Sequence, residues 1–135
     1  MQISVSCPTR FHAFYLADQL HKHGALKRLY TSYYGCWGNK RNDRGVNIPT
    51  DRVRTNLVSA FLYYGYNPGT EMFKRLFFGK WAARQLGDED IVITWGLSAL
   101  PIIKRAHQLG IVAVVERGSS HAIYQRDVLI EEYEK

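Results

Sequence analysis

Cysteine is scarce in this chain of 135 residues: Cys7 and Cys36 are the only two. They make no disulfide framework, and no short-spaced Cys or His pair offers the ligand pattern of a zinc site, so no metal is expected. A reducing, cytoplasmic setting follows as the default. No apolar stretch approaches the roughly 18 residues that a membrane span needs. The opening MQISVSCPTR lacks the basic and then long apolar pattern of a secretory signal. Also missing are a Walker-type glycine loop, a GxGxxG fingerprint after the first strand and a GxSxG nucleophile elbow. A self-contained hydrolase or NAD enzyme is poorly supported as a result. No internal repeat or low-complexity linker divides the chain, and its length suits one domain over residues 1–135.

Acidic residues are sparse in one half only. Residues 1–68 hold nine Lys/Arg against three Asp/Glu, whereas residues 69–135 hold nine of each, so the net charge of +6 arises in the first half. Such a field attracts phosphate, acidic sugar, nucleic acid or anionic lipid without choosing among them. The basic residues form no dense run and no nucleic-acid reading motif occurs, which makes nucleic acid an unlikely partner.

What is present is an alternation of strand and helix signals. Residues 2–7 read as a strand closed by Pro8, with Thr9 placed to cap a helix that carries Ala13, Phe14, Leu16, Ala17 and Leu20 at helical spacing and stops at Gly24. Residues 26–31 form the next strand, followed by a polar, glycine-bearing stretch at 32–50 that reads as a long loop or an excursion from the core. Residues 52–55 suit a short strand at best, and 57–66 fit helix or strand equally. From Thr70 to position 86 the pattern is helical, with Met72, Phe73, Leu76, Phe77, Trp81 and Ala82 on one side and Lys74, Arg75, Lys80 and Arg84 largely on another. DIVITW, residues 90–95, reads as a buried strand, 98–109 as a helix stopped by Gly110, 111–116 as a second buried strand, and 122–135 as a helix. This order predicts an α/β, Rossmann-like, doubly wound and mainly parallel sheet flanked by helices.

In such sheets ligands collect beyond the carboxyl ends of the strands. Three loops lie there. The first offers Arg10, whose planar fork suits a phosphate, and His12. The second holds Thr94, Trp95 and Gly96, an aromatic face and bare backbone suited to a sugar ring, although a tryptophan at a sheet edge more often serves packing. The third, ERGSSH at 116–121, combines Arg117, Gly118, Ser119, Ser120 and His121 just ahead of a helix whose free amides favour an anion. Helix capping accounts for Ser119 or Ser120 as well, and Glu116 could simply pair with Arg117 or a neighbour. Aromatics nearly encircle the helix that begins at Thr70, which leaves room for contact with an anionic membrane or a partner.

Taken together, ISVSCPTRFHAFYLADQLHKHGALKRLYTSY, RQLGDEDIVITWGLSAL and VVERGSSHAIYQ with the EEYEK helix make the chain resemble the N-terminal, acceptor-side domain of family 4 glycosyltransferases, which have the two-domain GT-B fold. The resemblance covers most of the chain outside its middle third. It implies a retaining transfer of a sugar from a nucleotide-sugar to a polysaccharide, glycolipid or small hydroxylated acceptor. By the resemblance, Arg10 and His12 would border the acceptor site. The Arg117–Ser119–Ser120–His121 loop would face the interdomain cleft, with His121 contacting the reacting sugar or acceptor. The donor-binding C-terminal domain, with its glutamates eight positions apart, has no counterpart in these residues. The expectation is thus a truncated or split half, inactive alone, binding no cofactor itself and needing a C-terminal domain in cis or in trans, cytoplasmic or peripheral at the inner membrane face. The rival expectation is a noncatalytic module that holds an anionic partner such as a membrane surface or polysaccharide.

Overall fold

A computed structural model of the protein describes residues 1–9, 12–34, 46–64, 68–117 and 122–134. Five parallel strands form one sheet in the order β3-β2-β1-β4-β5: β1 (Ile3–Ser6), β2 (Leu26–Thr31), β3 (Val53–Thr55), β4 (Ile91–Trp95) and β5 (Val112–Glu116). The helices are α1 (His12–Lys22), α2 (Leu57–Tyr64), α3 (Glu71–Gln85), α4 (Ala99–Leu109) and α5 (Ala122–Tyr133). The fold is α/β and Rossmann-like. From β1 the chain winds outward to β2 and β3, then returns across the sheet to β4 on the other side of β1. The strand order therefore reverses between β1 and β4, where a doubly wound sheet opens a crevice at its carboxyl edge.

Alternating side chains divide the sheet into two faces. Val5, Leu29 and Trp95 pack with Ala13, Phe14 and Ala17 of α1, while Tyr30 and Val92 pack with Phe78, Ala82 and Ala83 of α3 and Ile102 and Ala106 of α4. Complete burial of Phe78 alone stabilises the second layer by roughly 1.5–3 kcal/mol. α3 lies tightly against the turn that follows β4: a Cβ on Gly79 would collide with the carbonyl oxygen of Ser98. α4 ends at Gly110, whose φ of 72° suits the left-handed cap and lets its N–H reach the Ala106 and His107 carbonyls.

At the amino edge of the sheet, Glu89 joins three elements. Its carboxylate accepts from Ser4 Oγ at 3.0 Å, from Tyr30 Oη at 2.7 Å and from the Gly87 N–H at 2.7 Å. Burial pushes the Glu89 carboxyl up, but these hydrogen bonds together outweigh it and hold it below the ordinary range.

Three expectations change. The stretch 32–50 is not wholly an excursion, because Val46 and Ile48 return to the core beside α1, Tyr34 exchanges hydrogen bonds with the Ile48 backbone, and the Asn47 N–H donates to Asp18. α3 buries Lys74, Phe78, Gly79, Ala82 and Ala83 and leaves Met72 and Phe73 exposed. Its aromatics ring the axis, so the close approach at Gly79 selects the inward face where amphipathicity does not. Finally, β5 is not buried: Val112, Val114 and Val115 are 43–59% exposed. It pairs with β4 alone among the described residues, and an apolar run does not reveal whether its strand lies at an edge.

Candidate functional site

The carboxyl ends of β1, β4 and β5 bring together three side chains that are distant in sequence. His12 opens α1 directly beyond β1, Trp95 ends β4, and Glu116 ends β5 in register with Trp95. Register partners on adjacent strands project from the same face, so the indole and the carboxylate both stand on the α1 side. His12 Nε2 lies 2.7 Å from Glu116 Oε1 and 3.2 Å from Trp95 Nε1, with the two rings edge to face at 5.7 Å.

One ring nitrogen cannot satisfy both neighbours at once. With a proton on Nε2, His12 donates to Glu116 and offers the indole no lone pair; without it, Nε2 accepts from Trp95 and faces the carboxylate lone pair to lone pair. Which of the two contacts is a hydrogen bond is therefore set by the tautomer of His12. A ligand that took over the carboxylate would release Nε2 to the indole. The His12 and Glu116 side chains are 51% and 41% exposed, so both are open to an arriving hydroxyl, and their ion pair adds little to stability.

The other sequence candidates distribute as follows. Trp95 is only 7% exposed; its ring is packed and its N–H end reaches the rim. Gly96 is exposed, at φ 47°, and begins the short turn into α4. Arg117 is exposed just beyond β5. Thr94 is completely buried and points to the opposite face of the sheet, because strand neighbours alternate. Arg10, Gly118, Ser119, Ser120 and His121 lie outside the described residues. Glu116 is the residue that sequence reasoning left as a neighbour's ion-pair partner. Its signal is its strand-end position, which becomes informative once β5 is known to pair with β4.

A second group of rim residues lies on the α3 side. Ser6 and Thr94 are register partners there, and Ser32 follows Tyr30, the β2 partner of Ser6, by two positions. Beside them, α2 is capped by Asn56, whose Oδ1 accepts from the Ser59 N–H at 3.1 Å and whose own N–H donates to the Thr31 carbonyl. Arg75 of α3 is near enough to lower the Cys7 thiol and the Tyr63 phenol electrostatically, yet burial dominates and pushes both up to about 12. Both remain protonated at neutral pH.

Among the described residues, no cluster of three or more His, Cys, Asp or Glu side chains could hold a metal ion. No helix of the described residues is long and apolar enough to cross a membrane. No protein-family model, curated protein or solved structure matches the chain.

Proposed function

We propose that the chain contains the acceptor-side half of a retaining glycosyltransferase, which presents a sugar, glycolipid or polysaccharide hydroxyl to a nucleotide-sugar held by a donor-binding domain. The observation that carries the reading is the convergence of His12, Trp95 and Glu116 at the carboxyl rim beside the reversal of strand order. Carboxylate and imidazole together suit an acceptor hydroxyl, because Glu116 can accept its proton bond while His12 donates to its oxygen. Transfer breaks the bond from the sugar to the nucleotide diphosphate and forms one to that oxygen, so orienting the hydroxyl is the part of catalysis this half supplies. By the resemblance, Arg10, His12, Arg117 and the 118–121 loop border the same cleft, with His121 closest to the reacting sugar. The exposed apolar residues of β5 and α5, among them Val112, Val114, Ile123 and Leu129, give a further domain a surface to cover.

The test is an NMR titration of the uniformly labelled chain with mono- and oligosaccharides, with sugar phosphates and, separately, with nucleotide-sugars. Hydroxyl-rich ligands should move the Trp95 indole N–H and the His12 ring resonances, and nucleotide-sugars should not bind. Tight binding of a nucleotide-sugar to the isolated chain would overturn this division of labour. So would a rim indifferent to every carbohydrate.

A noncatalytic module on an anionic membrane is the second reading, favoured by the exposure of Leu57, Val58, Phe61, Met72 and Phe73 on the packed helices α2 and α3. Lys74 is not an exposed anchor for it, being 4% exposed and paired with Glu71. Exposed Lys80 and Arg84 are the residues to reverse. Flotation with anionic vesicles should be salt-sensitive and reduced by Lys80→Glu and Arg84→Glu; insensitivity to both removes the membrane.

A further inference from the structure

Buried hydroxyls nearly always find a partner, so a group of them without one calls for a ligand or for ordered water. Among the described residues, six buried side-chain atoms lack a hydrogen-bond partner: Ser6 Oγ, Ser32 Oγ, Ser59 Oγ, Tyr63 Oη, Arg75 Nε and Thr94 Oγ1. They are not scattered. Ser6 and Thr94 are register partners on the α3-side face at the carboxyl rim of β1 and β4, Ser32 directly follows β2 with its N–H donating to the Pro8 carbonyl, and all three are completely buried. Ser59 and Tyr63 stand one turn apart on α2, which packs on α3 and starts where β2 and β3 end. Arg75 lies one turn ahead of Gly79, the point where α3 touches the turn after β4. Its charge reaches both Cys7 and Tyr63, which ties α3 to the end of β1 and to α2.

The chemistry of the group is one-sided. Arg75 Nε can only donate, the phenol keeps its proton, and each of the four aliphatic hydroxyls can turn to donate. Arg75 brings a positive charge to the group, with a Glu71 carboxylate oxygen 3.7 Å from its Nε. The positive end of α2 adds to that field. Arg75 is itself 42% exposed, which gives the cluster an approach from solvent.

We propose that Ser6, Ser32, Ser59, Tyr63, Thr94 and Arg75 form a binding site for a tetrahedral oxyanion, a phosphoryl group either free as inorganic phosphate or carried as a monoester. The site is on the opposite sheet face from His12 and Trp95 and stands whether or not the chain belongs to a transferase.

Thermal unfolding and isothermal calorimetry of the full chain test it, with inorganic phosphate and glycerol 3-phosphate as probes and sodium chloride at matched ionic strength as control. Phosphate should raise Tm in a saturable way that chloride does not reproduce. Tighter binding of glycerol 3-phosphate marks a monoester site, and tighter binding of inorganic phosphate marks a closed site for the free ion. Arg75→Gln should weaken either probe about tenfold. Since Arg75→Gln can also disturb α3, Thr94→Val provides the independent check. It removes an unpartnered hydroxyl at equal volume, so it should raise Tm without phosphate while weakening phosphate binding by about two- to tenfold. A Tm that responds equally to chloride and phosphate overturns the proposal. So does a Thr94→Val variant that loses stability and binds phosphate as before, the behaviour of hydroxyls serving buried water.

Discussion

His12 Nε2 and Glu116 Oε1 meet at 2.7 Å although 104 residues separate them in the chain. Parallel topology makes this possible: every strand ends at the same edge, so the first residue of α1 and the last of β5 are neighbours across β4. Because Nε2 also faces the Trp95 indole at 3.2 Å, the position of one proton links a carboxylate at the rim to a buried aromatic ring.

His12→Ala should therefore shift the Trp95 indole N–H resonance and change its fluorescence while altering stability by less than about 1 kcal/mol, because the ion pair is exposed. Chemical denaturation checks the second half, and a loss of several kcal/mol would mean that the imidazole serves the core.

Glu89 should set much of the acid limit of the fold. Its carboxyl is held below the ordinary range by bonds from Tyr30, Gly87 and Ser4 that outweigh burial, and Asp18 is held low first by its hydrogen bond from Lys22. A carboxyl lowered by folding contributes stability that is complete above its unfolded value, roughly pH 4, and is lost as pH falls through the folded one. Stability should thus be flat above about pH 5–6 and decline below pH 4. Glu89→Gln should flatten that decline and cost about 1–3 kcal/mol at pH 7, measured by urea titration across pH.

Gly79→Ala should destabilise the protein by about 1–3 kcal/mol despite the better helix propensity of alanine, because the new methyl meets the Ser98 backbone, which cannot swing aside. Urea midpoints for the two proteins measure the difference. A neutral or stabilising result would show that α3 can slide away from the turn after β4.

Cys7 should resist thiol reagents in the native state. It is fully buried, its Sγ donates to the Thr9 carbonyl, and burial pushes its thiol up to about 12. In a Cys36→Ser background, alkylation at pH 8 should wait for denaturant, and rapid native labelling would contradict this packing.

The fold was largely legible because its signals are local. The DIVITW run, the helical spacing of Ala13, Phe14, Ala17 and Leu20, and the stop at Gly110 each need only a short window of sequence. The pattern of 57–66 fits helix and strand alike, and the Asn56 cap is what makes Leu57–Tyr64 a helix. The rim chemistry was less visible. Whether Glu116 faces His12 or solvent depends on the pairing of β4 with β5, and the grouping of Ser6 with Thr94 depends on register across 88 positions. A resemblance could name loops, but it could not assign Thr94 and Trp95 to opposite faces.

β5 has a single neighbour among the described residues, so the amides and carbonyls along its outer flank have no strand to bind. Another extended segment laid there would lengthen the ladder and shield Val112 and Val114 in one event. Such a segment would be held chiefly by main-chain hydrogen bonds, so the outer flank of β5 constrains the shape of what seats there more than its sequence.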